Sequence, residues 1–317
     1  MSSFNASSTT EVSEFLLMGF SGIQSWQHWL SIPLALLFLV ALVANLILLI
    51  TFYADPNLHE PMYYFLAMLA LVDIGLCTSI MPKILGILWF GARAISHVGC
   101  FTQIFVIYWF VAMESSVFVI MAFDRYVAIC NPLRYLYIIT NGFVAKSSLL
   151  ALARITFLIL PIPFFLSKLC YSSRNVIYHL ICSHFAVTSL ACSDTSAANT
   201  YRLAISWIVG GMDLVLILLS YCLIIRAVLA LNTQGAAVKA LSTCGSHFIL
   251  ISFFYTILVV LTVTHRDEKE PSIIPLLLNV LHDVIPPALN PIVYGVRTKE
   301  IKQGMRKVFR ISKGALS

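Results

Sequence analysis

With 60% of its 317 residues hydrophobic and only 11% charged, the chain is far from the roughly 45–50% and 25% of a soluble globular protein. No soluble core needs that much apolar surface, and apolar stretches of about twenty residues recur along the whole length, each long enough to cross a hydrocarbon layer of about 30 Å. The bilayer is therefore the solvent, and the small excess of 20 Lys and Arg over 14 Asp and Glu is read as a topological signal.

The first 28 residues are polar and carry no Lys or Arg. The charged region of a cleavable secretory signal is missing, so the first span must do the targeting. Seven spans follow, over residues 29–53, 62–88, 100–130, 142–166, 199–230, 238–264 and 273–295. The expected fold is an all-α membrane protein, a seven-transmembrane-helix bundle with a short amphipathic C-terminal helix. An extracellular segment 1–28, a seven-transmembrane domain 29–295 and a cytoplasmic helix and tail 296–317 divide the chain. Placing the N-terminus outside puts 12 of the 20 Lys and Arg on the cytoplasmic side and 6 outside, as the positive-inside rule requires. Asn5-Ala6-Ser7, the one glycosylation sequon in the sequence, falls on the outer side in that orientation.

The longest connection, 167–198, holds Cys170, Cys182 and Cys192, and Cys100 opens the third span at the same face. Four cysteines in an oxidising compartment suggest two disulfides, and three pairings are open. Cys77, Cys130, Cys222 and Cys244 lie in or beside spans as packing residues. His179 and His184 sit among the loop cysteines, where disulfides would leave few thiolates for a metal. On the third span Cys100 and Asp124 are separated by about 36 Å of helix, so one marks the outer face and the other the inner. There Asp124-Arg125-Tyr126 places an acid beside an arginine at the membrane boundary. The pair can neutralise each other in one state and release the arginine in another; a lone Asp-Arg could equally be a snorkelling anchor.

Longer strings decide between these readings. Pro61-Met62-Tyr63-Tyr64-Phe65-Leu66 with Asp73, the run from Met121 through Asp124-Arg125-Tyr126 to Leu133, Lys239 to His247, and Pro286-Pro287-Ala288-Leu289-Asn290-Pro291-Ile292-Val293-Tyr294 resemble the odorant-receptor family in order and spacing, as does Ser220-Tyr221. The resemblance implies a rhodopsin-like G-protein-coupled receptor that binds a small volatile odorant outside and activates a stimulatory, olfactory-type heterotrimeric G protein inside. It implies that Arg125 engages the G protein, that Tyr221 and Tyr294 swing toward it, and that Asn290-Pro291 forms the deformable part of span seven. It also implies pairing of Cys100 with Cys182 and of Cys170 with Cys192, and residence in the plasma membrane of olfactory sensory cilia. Span one departs from the family's usual Gly-Asn with Ala44-Asn45.

Ionisable groups within spans are costly and read first as functional. The resemblance implies a sodium and water pocket at Asp73, Asn45 and Asn290, with Glu114 as a second carboxylate; no other cofactor is expected. Asp213, Asp283 and Arg154 have no assigned role beyond mutual pairing and packing. Span seven has no lysine for a retinal Schiff base, and the outer half of span three has no acid to hold an amine. Span six ends in Thr262-Val263-Thr264-His265-Arg266, an ending that, with the long outer loop, resembles the class I, fish-like branch. By that similarity Arg266 would clamp a carboxylic acid through bidentate charge-assisted bonds; the competing reading is a solvated loop charge beside Asp267 and Glu268. Helix register and the resemblance nominate Tyr108, Val111, Ala112, His184, Phe185, Tyr255, Leu258, Val259 and Thr262 as further cavity residues.

After span seven, Ile301, Met305, Val308 and Phe309 alternate with Lys302, Arg306 and Arg310 on an amphipathic helix suited to the inner leaflet. Its basic face would meet anionic membrane lipids and the G protein; a membrane-tethered face argues against nucleic acid. The competing class is a seven-helix transporter, which usually shows paired repeats that are not visible here, or an ectopic chemoreceptor for a non-odorant metabolite. No metal-spaced His pair, nucleophile elbow or phosphate-binding glycine loop supports an enzyme.

Overall fold

The computed structural model describes residues 14–19, 27–171, 175–230, 245, 248–259 and 273–315. Among the described residues six helical spans are long and apolar enough to cross a membrane: His28–Ala54, Pro61–Phe90, His97–Cys130, Asn141–Ser167, Ser196–Leu229 and Leu276–Gly295. A further apolar helix, Phe248–Val259, lies within the expected sixth span, whose remainder falls outside the described residues. In chain order the helices are α1 (Gln27–Ala54), α2 (Pro61–Phe90), α3 (His97–Cys130), α4 (Tyr135–Ile138), α5 (Asn141–Ile159), α6 (Pro161–Ser167), α7 (His184–Thr188), α8 (Ser196–Ser206), α9 (Met212–Leu229), α10 (Phe248–Val259), α11 (Ile273–Arg297) and α12 (Lys299–Ala315). The seven-helix bundle with a C-terminal helix is the expected fold.

The helix ends follow local chemistry. Pro61 opens α2 at a position where its missing N–H costs nothing, and Gly91 closes it at φ 64°, a left-handed conformation open to glycine. Ser96 caps α3 by accepting from the Gly99 N–H at 3.1 Å, and Thr140 caps α5 by accepting from Phe143 at 3.2 Å. Pro161 divides the fourth span into α5 and α6. Between α8 and α9 the chain widens into a π-turn, Trp207–Gly211, which re-aims every side chain before it relative to those after it.

Two apolar clusters fill the bundle, one toward each end. The first gathers α2, α3, α5 and α11 with Ile177 and Leu180 and with Val187 of α7; the second gathers the far halves of α1, α2 and α3 with α9 and α10. A three-stranded sheet covers the first end. Strand β1 (Glu14–Leu17) pairs antiparallel with β2 (Ala94–Ser96) and parallel with β3 (Val176–Ile177). The N-terminal segment, expected only as a polar extension, is thus tied down here by Phe15 and Leu17, both fully buried. Burial alternates along Glu14-Phe15-Leu16-Leu17, but the sequence does not, because the exposed Leu16 is as apolar as its buried neighbours, so no strand period was there to read.

Candidate functional site

The sheet end carries a cavity of about 230 Å³. The disulfide between Cys100 at the start of α3 and Cys182 in the long loop, Cα atoms 5.5 Å apart, anchors the loop across it. Cys182 receives a second tether, its N–H donating to Gln103 Oε1 at 3.1 Å. Apolar walls come from α3 (Ile104, Ile107, Val111, Ala112), α5–α6 (Ile159, Ile162), α8 (Ile205) and α10 (Phe254, Leu258); polar groups enter as Tyr108, Ser115, Arg202, Asn279, His282 and Asp283. This is the composition of a small-ligand site, mostly apolar with a few placed polar groups.

Of the residues nominated from the sequence, Tyr108, Val111, Ala112, Phe185 and Leu258 line this cavity. Three do not. Val259 follows Leu258 by one helical step of about 100° and points outward, 55% exposed. His184 is buried behind Phe185, its Nε2 hydrogen-bonded to Asn199 Oδ1 at 3.1 Å. Tyr255 lies beneath the cavity floor, its hydroxyl 2.8 Å from Ser115 Oγ. Thr262, Arg266 and Asn5 lie outside the described residues.

Sequence reasoning missed Arg202, counted with the outer segments because it stands near the start of its span. It sits on α8, half-buried in the cavity wall, its guanidinium carbon 4.0 Å from the centre of the Phe185 ring. Burial first, and then the Arg202 charge, push the His184 imidazole down to about 4, so His184 is neutral at physiological pH.

Below the floor runs a buried polar chain. Ser115 Oγ donates to Asp213 Oδ2 at 2.8 Å, and Asp213 Oδ1 accepts from Arg154 Nη2 at 2.8 Å. With the Tyr255 contact, this chain joins α3, α5, α9 and α10, and gives Arg154 and Asp213 the mutual pairing expected of them. One residue back along α3, and so about 100° around the helix from Ser115, Glu114 joins Asp73, Asn45 and Asn290, and all four are buried. Asn290 Nδ2 donates to both Asp73 oxygens at 3.1 and 3.2 Å and to Glu114 Oε1 at 3.3 Å. Asn45 Nδ2 donates to Pro287 O at 2.9 Å. That carbonyl is the one a residue at 291 would use in a regular helix; Pro291 has no N–H and releases it. The proline in α11 thus supplies the acceptor for this α1–α11 contact.

At the far end Arg125 Nε donates to Asp124 Oδ2 at 2.9 Å, and the Tyr135 hydroxyl donates to Asp124 Oδ1 at 2.9 Å. Tyr221 and Tyr294 are buried in the same apolar cluster as Met121 and Phe254. α12 packs along α1 through Ile301, and Lys307 pairs with Asp55 at 3.0 Å; that contact holds the Asp55 carboxyl below its usual range. Cys170 and Cys192 are brought together, sulfurs 2.6 Å apart as thiols. Among the described residues no cluster of three His, Cys, Asp or Glu side chains could hold a metal ion.

A loop-capped cavity at one end of a bundle and a paired acid and arginine at the other, with polar chains between, define a heptahelical membrane receptor. The sequence profile described as olfactory receptor matches residues 34–312. The chain is 55% identical over 306 residues to mouse olfactory receptor 56B34, covering 96% of this chain and 95% of the relative. It is 54% identical over 305 residues to human olfactory receptor 56B2, covering 96% of each, and 51% identical over 311 residues to human olfactory receptor 56A4, covering 98% and 99%. The chain belongs to the olfactory receptor family, whose members are multi-pass membrane receptors and not enzymes; the class I resemblance is consistent with these relatives.

Proposed function

We propose that this receptor binds a small odorant in the cavity at its disulfide end, facing the cell exterior, and that the bound state activates a stimulatory heterotrimeric G protein at the Asp124 end. The observation that carries the reading is the hydrogen-bonded link from the cavity floor to the helices that run on toward the other end. Ser115 is both a cavity residue and the centre of the chain that reaches Tyr255 on α10 and Asp213 on α9. A ligand that displaces the floor thereby biases the helices that carry Tyr221 and Phe254. At the far end, release of Arg125 from Asp124, which Tyr135 also holds, frees a guanidinium to engage the G protein, with Tyr126, Tyr221, Tyr294 and the Asn290-Pro291 segment as the moving parts.

The odorant class we favour is a carboxylic acid, with Arg266 at the end of span six as one cation able to hold it. A sodium ion is a further proposal. The residues fit one, since Asp73 and Glu114 supply carboxyl oxygens and Asn45 Oδ1 and Asn290 Oδ1 are buried oxygens with no protein hydrogen-bond partner among the described residues. The ion would offset the two carboxylates and hold α2, α3 and α11 together. Glycosylation at Asn5, a Cys170–Cys192 disulfide, contact of α12 with inner-leaflet lipids and residence in the cilia of olfactory neurons complete the proposal.

The test is cyclic AMP in cells that display the receptor, challenged with aliphatic acids of graded length and matched alcohols, repeated with Arg266→Ala. Acid responses lost in the variant at equal surface expression support receptor and Arg266 clamp together. Responses indifferent to Arg266 sink that clamp alone.

A further inference from the structure

The cavity holds its own cation. Arg202 is half-buried in the wall, stacked on Phe185, and makes no ion pair with a described carboxylate. Its Nε is shielded from solvent and has no acceptor among the described residues. A guanidinium in an apolar cavity, oriented by a ring face but not neutralised, favours an anion at that spot, because charge-assisted bonds strengthen as water is excluded. Asp283 on α11 lines the same cavity, is itself buried, and is not paired with Arg202 within ion-pair distance. The cavity is therefore bipolar, with a cation contributed by α8 and a carboxyl contributed by α11.

We propose that Arg202 is the anion subsite of the cavity and that Asp283 sets the polarity of the ligand's other end. The inference rests on the reading of the cavity as the odorant site and names the ligand class: a small monocarboxylate with an apolar body, preferred further when its far end carries a hydroxyl that can donate to Asp283. A dicarboxylate is rejected, since its second carboxylate would lose its water beside the buried Asp283 carboxyl with no cation there to hold it. Arg202 and Arg266 thus make different claims about which cation holds the acid, and the experiment separates them.

The probes are hexanoate, 6-hydroxyhexanoate, adipate and hexan-1-ol, matched in length. They are applied to the wild-type receptor and to Arg202→Gln, Arg202→Lys and Arg266→Ala. Two readouts are taken, cyclic AMP at equal surface expression and thermal stabilisation of the detergent-purified receptor, which reports binding without signalling. Loss of a charge-assisted contact in Arg202→Gln raises the half-maximal hexanoate concentration about tenfold or more. The hexan-1-ol response is spared, and Arg202→Lys retains part of the preference for the acid over the alcohol. Wild type ranks 6-hydroxyhexanoate at or above hexanoate and both above adipate. Stabilisation by hexanoate that depends on Arg202 without any cyclic AMP keeps the subsite and sinks the signalling reading. Hexanoate potency unchanged in Arg202→Gln overturns the subsite, whether or not Arg266→Ala loses it. A wild-type receptor neither stabilised nor activated by hexanoate overturns the ligand class, and adipate equal to hexanoate overturns the role of Asp283.

Discussion

Removing the Asp213 carboxylate leaves Arg154 with its charge in the bundle and no partner. Asp213 is fully buried and Arg154 is 28% exposed at the side chain, so desolvation falls mainly on the acid. Breaking a buried pair from one side costs about 3–5 kcal/mol; the partial exposure of Arg154 puts Asp213→Asn near the lower figure, about 3 kcal/mol. Asparagine keeps an acceptor for Ser115, so the loss reports the charge and not the hydroxyl contact. Arg154→Met paired with Asp213→Leu removes both charges and fills the space with apolar groups, an exchange that is often neutral or stabilising. The assay is thermal melting of the purified receptor together with surface expression. Asp213→Asn should lower the melting temperature by on the order of 5 °C, and the double variant should recover at least half of it. A double variant as unstable as the sum of its single variants would show that the two side chains do not act as a pair, and the reasoning would fall.

Three further outcomes follow from other contacts. His184 is held near 4 against an ordinary 6.5, so the unfolded chain takes up a proton before the folded one; stability present above pH 6.5 is lost as pH falls from 6.5 toward 4. The loss reaches about 3 kcal/mol. Melting temperatures measured across that window should flatten in His184→Gln, and a slope equal to wild type would contradict the burial of a neutral imidazole. A Cβ on Gly304 would meet Thr51 Cγ2 at 2.8 Å and Leu58 Cδ1 at 3.0 Å. Gly304→Ala should therefore loosen α12 at a cost of about 1–3 kcal/mol, partly restored by Thr51→Ser, as read from melting temperature; indifference of Gly304→Ala would show that α12 does not dock so closely. Cys100→Ser, Cys182→Ser and the double variant remove one and the same bond, worth about 2–5 kcal/mol. They should lower surface expression equally, and a double variant worse than either single one would contradict the pairing.

The spans were legible because an apolar run of membrane length leaves few alternatives. The expected 62–88 and 142–166 differ from Pro61–Phe90 and Asn141–Ser167 by no more than two residues at any end. Side-chain direction was legible where a helix stays regular, as along α3 for Tyr108, Val111 and Ala112. It was not legible at one-residue resolution on α10, where Leu258 faces the cavity and Val259 faces away. Nor was it legible across the π-turn at Trp207–Gly211, which turns Arg202 and Ile205 into the cavity and Asp213 into the polar chain beneath it. The Arg154–Asp213 pair joins residues 59 apart in sequence; that a charge within a span needs a partner was legible, but which of Asp213 and Asp283 Arg154 would take was not. Strand β1 is short and pairs with two distant segments, so its stability comes from partners that its own residues do not announce.

The most direct test fills the cavity and watches the far end. Ala112 is buried in the cavity wall, and Ala112→Phe would occupy the space an odorant needs while leaving Asp124, Arg125 and Tyr135 untouched. Odorant-evoked cyclic AMP is measured for wild type and Ala112→Phe at equal surface expression, in cells with and without the stimulatory G-protein α subunit. The account predicts a wild-type response that disappears both in the filled variant and in the cells that lack the α subunit. A response of full size in either setting would contradict it.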